Sequence, residues 1–238
     1  MARRITWWLL TRSVALVVTF IPKRHRFRVV VFFCNVLTPI IGERLRRRAR
    51  RNALCSGPYD EVMRLAMRIL ADGGVTFDAP LVVDSPVALE RRAIFVGGHY
   101  PIANFFLRHA LDHGIEPVVV KAFPEIDRFI WGTRTEFEAI EPSPTALLKL
   151  QRHIEAGHPG LVLIDNSRSA SVAFHSEYGD GHVSTRVFEF ATRFAIPMFF
   201  LCVRSDDQGR PVIVIRPIAA DPNEFITHLL EQAALLRR

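Results

Sequence analysis

The chain has 238 residues, of which 49% are hydrophobic, with eighteen phenylalanines and a net charge of +7. This length suits one domain, or one domain with an appended segment, and the apolar content excludes an intrinsically disordered chain. The charge is split: residues 1–51 hold thirteen Lys and Arg against the single acid Glu43, whereas residues 52–238 hold eighteen basic and twenty-three acidic side chains. A net-acidic body behind a cationic leader is not the layout of a nucleic-acid binder, whose basic side chains spread over the folded face, and no nucleic-acid partner is expected.

The leader alternates apolar and basic blocks twice. Its apolar stretches, Ile5–Ile21 and Val29–Ile41, are respectively interrupted by Arg12 and only thirteen residues long. A spanning helix needs about twenty largely apolar residues. Interfacial helices or a shallow hairpin therefore fit better, with Trp7 and Trp8 at headgroup depth and the arginines on anionic lipid. A cleaved signal peptide is opposed by Arg12 and by the absence of a small-x-small site directly before Lys23, where the chain reads Thr19-Phe20-Ile21-Pro22. The expected division is thus a membrane-associated segment over 1–51 and a folded domain over 52–238. Three cysteines (Cys34, Cys55 and Cys202) form no Cys-x-x-Cys pair, which points to a reducing, cytoplasmic setting for the domain.

Beyond the arginine run, Tyr59–Asp72 has helical spacing and ends at Gly73-Gly74, as a C-cap would. Strand-length apolar runs follow at Ala93–Val96, Pro117–Val120, Leu161–Ile164, Met198–Val203 and Val212–Ile215. Helical segments are expected over Ile102–His113, Pro144–Ala156, Val183–Phe194 and Asn223–Leu236. Strands apolar on both faces and separated by helices predict an α/β fold with a largely parallel central sheet flanked by helices. Functional groups in such folds gather beyond the carboxyl ends of the strands. Here that rule selects Gly97-Gly98-His99, the segment from Lys121, and Asp165-Asn166.

Two glycines after the first of these strands permit a tight turn and close approach of substrate to the backbone. His99 would then stand at a helix N-terminus beside unpaired amides, the arrangement of a general base next to an oxyanion site. A plain structural histidine is the competing reading. Lys121, Arg128 and Arg134 surround Phe129-Ile130-Trp131, either as cations for a phosphorylated carrier at an apolar entry or as ordinary loop charges. The remaining histidines show no ligand spacing with acids or cysteines, so no metal site is expected. Ser167, Ser169 and Ser171 lack the Gly-x-Ser-x-Gly elbow of a serine hydrolase. Gly179-Asp180-Gly181 reads as a turn.

Taken in order, Arg50-Arg51-Asn52-Ala53-Leu54, His99 after an apolar strand, Leu163-Ile164-Asp165-Asn166, and Thr185 to Pro197 resemble the lysophospholipid acyltransferase superfamily. Within it the bacterial lipid A late acyltransferase branch is the most similar. The resemblance runs from about residue 1 to residue 220. It implies a membrane-bound transferase of lipid biosynthesis at the bacterial inner membrane, with its catalytic domain on the cytoplasmic side. The acyl donor would be an acyl carrier protein or coenzyme A thioester, the acceptor a hydroxyl or amine of a lipid, and no cofactor would be required.

Carried onto this chain, the resemblance makes His99, Asn104 and Asp165 the catalytic set, and Gly98, Tyr100, Lys121, Arg134, Asn166 and Arg168 the substrate-binding set. The chain departs from the family pattern at Asn104, which stands where the His-x4-Asp/Glu motif has its acid, and at Asn166, which stands where the family has Gln. Asn104 can orient an imidazole but carries no charge. Either it suffices, or Asp165 supplies the carboxylate, or the chain is a degenerate homologue that binds lipid or a partner without turnover.

Overall fold

The computed structural model describes residues 20–22, 25, 82–85, 89–98, 103–120, 138–164, 170–177, 179–205 and 211–235. The expected leader (apart from Phe20–Pro22 and His25), the Arg50–Leu54 motif and the helix over Tyr59–Asp72 lie outside these residues.

The elements in order are β1 (Val82–Asp84), β2 (Ile94–Gly97), α1 (Ala103–Asp112), β3 (Val118–Val120), β4 (Ala139–Ile140), α2 (Ala146–Glu155), β5 (Gly160–Leu163), β6 (Ser171–Ser176), β7 (Gly179–Ser184), α3 (Arg186–Phe194), β8 (Met198–Ser205), β9 (Pro211–Ile218) and α4 (Pro222–Leu235). Seven strands form one sheet in the order β1-β9-β8-β2-β5-β3-β4, while β6 and β7 form a separate hairpin. Every pairing in the large sheet is parallel except β8 with β9. The largely parallel α/β sheet read from the sequence is therefore present. Among the described residues no helix is long and apolar enough to cross a membrane.

Alternation along each strand divides the interior into two layers. Ile94, Val96, Val118, Val162, Phe200, Cys202, Val212 and Val214 face one side, where α2, α3 and α4 bring Leu150, Ile154, Val187, Phe188, Phe225 and Leu229. Phe95, Val119, Leu161, Phe199, Leu201, Ile213 and Ile215 face the other, against Phe106 and Leu107 of α1. Phe95 is 1% exposed and packs between Phe106 and Phe199, with ring centroids at 4.6 and 5.3 Å. Burial of a side chain this size contributes about 2–3 kcal/mol. Both faces are covered, which is why these strands read as continuous apolar runs rather than alternating ones.

Local chemistry sets the helix ends. Gly114 (φ 67) and Gly157 (φ 92) close α1 and α2 in the left-handed conformation, with Ile115 N–H returning to Ala110 and His158 N–H to His153 at 2.9 Å each. At the start of α4, Asp221 Oδ1 accepts the Asn223 amide at 2.9 Å while Pro222 occupies the first turn.

Two expectations are corrected. The segment Val183–Phe194 is not helical throughout: Val183 and Ser184 end β7, and α3 begins at Arg186. Gly179-Asp180-Gly181 is strand rather than turn, pairing with Ser176, His175 and Phe174. Glycine at 181 gives the Phe174 ring a place to lie, since a Cβ there would collide with that ring.

Candidate functional site

Because β2, β3, β4, β5 and β8 run the same way, their carboxyl ends share one edge of the sheet. β2 and β5 are neighbours, paired from Ile94↔Gly160 to Gly97↔Leu163. Their onward connections diverge. From β2 the chain crosses to β3, beyond β5, through α1 on one face; from β5 it crosses to β8, beyond β2, through α3 on the other. That divergence is a topological switch point, where open α/β sheets leave a crevice for ligands. It falls between the two strands that lead to His99 and to Asp165.

The ladder extends one step past the paired strands. Ile164 N–H donates to the Gly97 carbonyl at 3.0 Å, and Gly98 and Ile164 are both buried. Gly97 is the last residue of β2 and is paired with Leu201 of β8. A Cβ at this position would lie 2.9 Å from the Leu201 carbonyl oxygen, so its lack of a side chain serves the close approach of β2 and β8.

Of the expected site residues, Gly98 lies in the described structure, directly after β2, and Asn104 is the second residue of α1, its side chain outside the described set. His99, Tyr100, Lys121, Arg134, Asp165, Asn166 and Arg168 lie outside the described residues. Their attachment points are described: Gly98 and Ala103, Val120 and Glu138, and Ile164 and Ala170. In each case the chain leaves from the carboxyl edge.

The returning end of the Asp165–Ser169 segment is held by a group the sequence reading did not single out. Ala170 has φ 48, and its carbonyl accepts both the amide and the hydroxyl of Thr185, at 2.8 and 3.1 Å. The neighbouring Ser184 amide donates to the Ile164 carbonyl at 3.1 Å. Nothing in an Ala-Ser dipeptide signals a left-handed residue, so this feature was not legible.

Several of the described histidines outside the leader have local partners. His113 Nδ1–H donates to the His109 carbonyl at 2.8 Å, and His158 Nδ1–H to the Glu116 carbonyl at 3.2 Å. His153 Nε2 meets Glu138 at 3.2 Å, and His175 Nδ1 meets Asp180 across the hairpin at 2.8 Å. Burial, reinforced by the charge of His113, lowers the pKa of His109. Among the described residues no cluster of three or more metal-ligand side chains occurs. A polar pocket of about 440 Å³ lies between β4 and α2, lined by residues that include Glu138, Lys149, Arg152 and His153. It is separated from the switch point by β3.

No family model matches the chain, and no curated protein matches it.

Proposed function

We propose that the protein is an acyltransferase of the membrane surface, moving a fatty acyl chain from an acyl carrier protein or coenzyme A thioester to a hydroxyl or amine of a lipid or lipid-like acceptor. The observation that carries this reading is the adjacency of β2 and β5 at the switch point, because the two segments with acid–base side chains begin there. His99 is one peptide step past Gly98, and Asp165 one step past Ile164. Gly98 and Ile164, the described residues from which the two segments depart, directly follow the paired ends of neighbouring strands.

In this reading His99 accepts the proton of the acceptor O–H or N–H as that atom attacks the thioester carbonyl. Backbone amides around Gly98–Pro101 stabilise the oxyanion of the tetrahedral intermediate. Collapse breaks the C–S bond, the leaving thiolate takes the proton from the imidazolium, and an ester or amide and a free thiol remain. Asn104 orients the imidazole, with Asp165 as the nearby carboxylate. Gly98 and Tyr100 line the substrate turn, and Lys121, Arg134, Asn166 and Arg168 meet the phosphorylated carrier or acceptor. A base and an oxyanion site suffice for this chemistry without a cofactor.

The leader supports the same reading. Thirteen cations against one acid favour an anionic lipid surface, where each basic side chain contributes about 1 kcal/mol. The reading extends to the bacterial inner membrane, with the domain on its cytoplasmic side. A second reading is favoured by Asn104 alone: a catalytically degenerate homologue that binds lipid or a partner enzyme.

Thiol release from an acyl carrier protein thioester, measured over vesicles of bacterial phospholipid, distinguishes the two. Turnover that disappears in His99→Ala supports the acyltransferase. Lipid binding without turnover in the wild-type protein supports the degenerate homologue.

A further inference from the structure

We propose that Thr185 is a positioning residue that seats the segment leaving β5 at the switch point. Its geometry stands on Ile164, Ala170, Ser184 and Thr185, and its consequence for turnover rests on the acyltransferase reading above.

Ser184 and Thr185 are consecutive, and their amides donate to the Ile164 and Ala170 carbonyls at 3.1 and 2.8 Å. Amide nitrogens of neighbouring residues lie within about 4 Å of each other. The two ends of the five-residue segment 165–169 are therefore gathered against one point of the chain, just before α3. The Thr185 hydroxyl adds a second bond to the Ala170 carbonyl, at 3.1 Å. A threonine at this N-cap position ordinarily turns its hydroxyl onto the helix amides. Here it makes no such cap bond, and the hydroxyl is directed across to Ala170 instead.

Ala170 takes φ 48, a region that residues with a Cβ seldom occupy. A backbone of this kind persists only where surrounding contacts over-determine it. The doubly accepted carbonyl is that contact. Because Ile164 is itself bonded to Gly97, the same set of bonds ties the segment's start to the end of β2. The hydroxyl of Thr185 thus fixes where the segment carrying Asp165, Asn166 and Arg168 begins and ends relative to β2.

The test uses the full-length protein in vesicles of bacterial phospholipid, as wild type, Thr185→Val and Thr185→Ser. Valine keeps the size and the main-chain amide and removes only the hydroxyl bond. Loss of one hydrogen bond corresponds to about 2- to 10-fold, so amides of peptides spanning 164–171 and 184–185 exchange faster by that factor in Thr185→Val and at the wild-type rate in Thr185→Ser.

With an acyl carrier protein thioester as donor, kcat for thiol release falls in Thr185→Val, KM for the thioester rises because the same segment carries Asn166 and Arg168, and serine restores both. Should valine impair folding, Ala170→Val strains the acceptor side of the same bond without touching α3, and the same pattern is expected. Wild-type exchange in the valine variant, or serine as damaging as valine, overturns the clamp. Faster exchange with undiminished kcat overturns its positioning role. A wild-type protein that releases no thiol overturns the acyltransferase reading instead, and exchange alone then upholds or overturns the clamp.

Discussion

Ile164 and Gly97 are joined by a 3.0 Å hydrogen bond from the amide of one to the carbonyl of the other, one residue beyond the paired region of β2 and β5. This bond extends the parallel ladder to the rim of the sheet. It fixes the level from which two segments depart, one toward His99 and one toward Asp165. A shared departure level at a switch point is what a two-segment site requires, since neither segment has to cross a strand to meet the other.

Gly97→Ala is expected to destabilise the domain. The added Cβ would meet the Leu201 carbonyl oxygen at 2.9 Å, and that atom belongs to the main chain of β8 and cannot swing aside. The expected cost is about 1–3 kcal/mol, as for overpacking elsewhere in close-packed cores. Gly160→Ala is the comparison. Its Cβ would meet the Leu150 Cδ1 atom at 2.6 Å, the far end of a flexible side chain, so the loss is smaller. Denaturant midpoints of the two variants decide the matter, and a larger loss at Gly160 would contradict the account.

How much of this was legible in the sequence follows from what each feature depends on. The interior strands β2, β5 and β8 were visible because both faces are buried, which leaves runs such as Ile94-Phe95-Val96 and Met198-Phe199-Phe200 without polar interruption. The edge strands β1 and β4 were not, since each is short and has only one neighbour. The hairpin was misread because glycine usually marks a turn, whereas Gly181 is a strand residue that makes room for Phe174. The switch point was legible only as a rule about strand ends; which two strands flank it is a property of the crossovers. Thr185 and Ala170 left no trace, because a hydrogen bond across fifteen residues has no local pattern.

Under the acyltransferase proposal, Asn104→Asp is expected to raise turnover at least about tenfold, because a carboxylate stabilises the imidazolium that an amide cannot. In serine proteases the reverse substitution at the comparable group lowers kcat by about 10⁴. Steady-state thiol release at constant donor concentration measures the effect. An unchanged rate would show that the proton of His99 is balanced by another group, and Asp165→Asn in the same background would then identify or dismiss that carboxylate.

His109 gives the fold a pH dependence of defined sign. Burial lowers its pKa from 6.5, the charge of His113 lowers it further, and Asp112 acts weakly in the opposite direction. Between the lowered value and 6.5 the unfolded chain binds a proton that the folded chain does not. Its contribution is therefore fully present above about pH 6.5 and is lost as pH falls toward the folded-state value. His109 is partly exposed, so the effect is modest. Thermal midpoints recorded from about pH 8 to about pH 5 should fall less in His109→Gln than in the wild type, and parallel curves would reject the assignment.

Gln232 is where the interior is least well satisfied among the described residues. It continues the buried stripe of α4 after Phe225 and Leu229, is 8% exposed, and its Oε1 accepts no hydrogen bond. A buried acceptor without a donor carries an uncompensated desolvation cost of about 1–3 kcal/mol. Methionine has a similar unbranched shape and no such requirement. Gln232→Met is therefore expected to stabilise the domain by about 1 kcal/mol, a rise of about 2–4 °C in Tm for a chain of this size. Calorimetry of the two proteins checks it. A lower Tm in the variant would contradict this account and mean that Oε1 is paired in the working protein, by a water or a donor group that reaches α4.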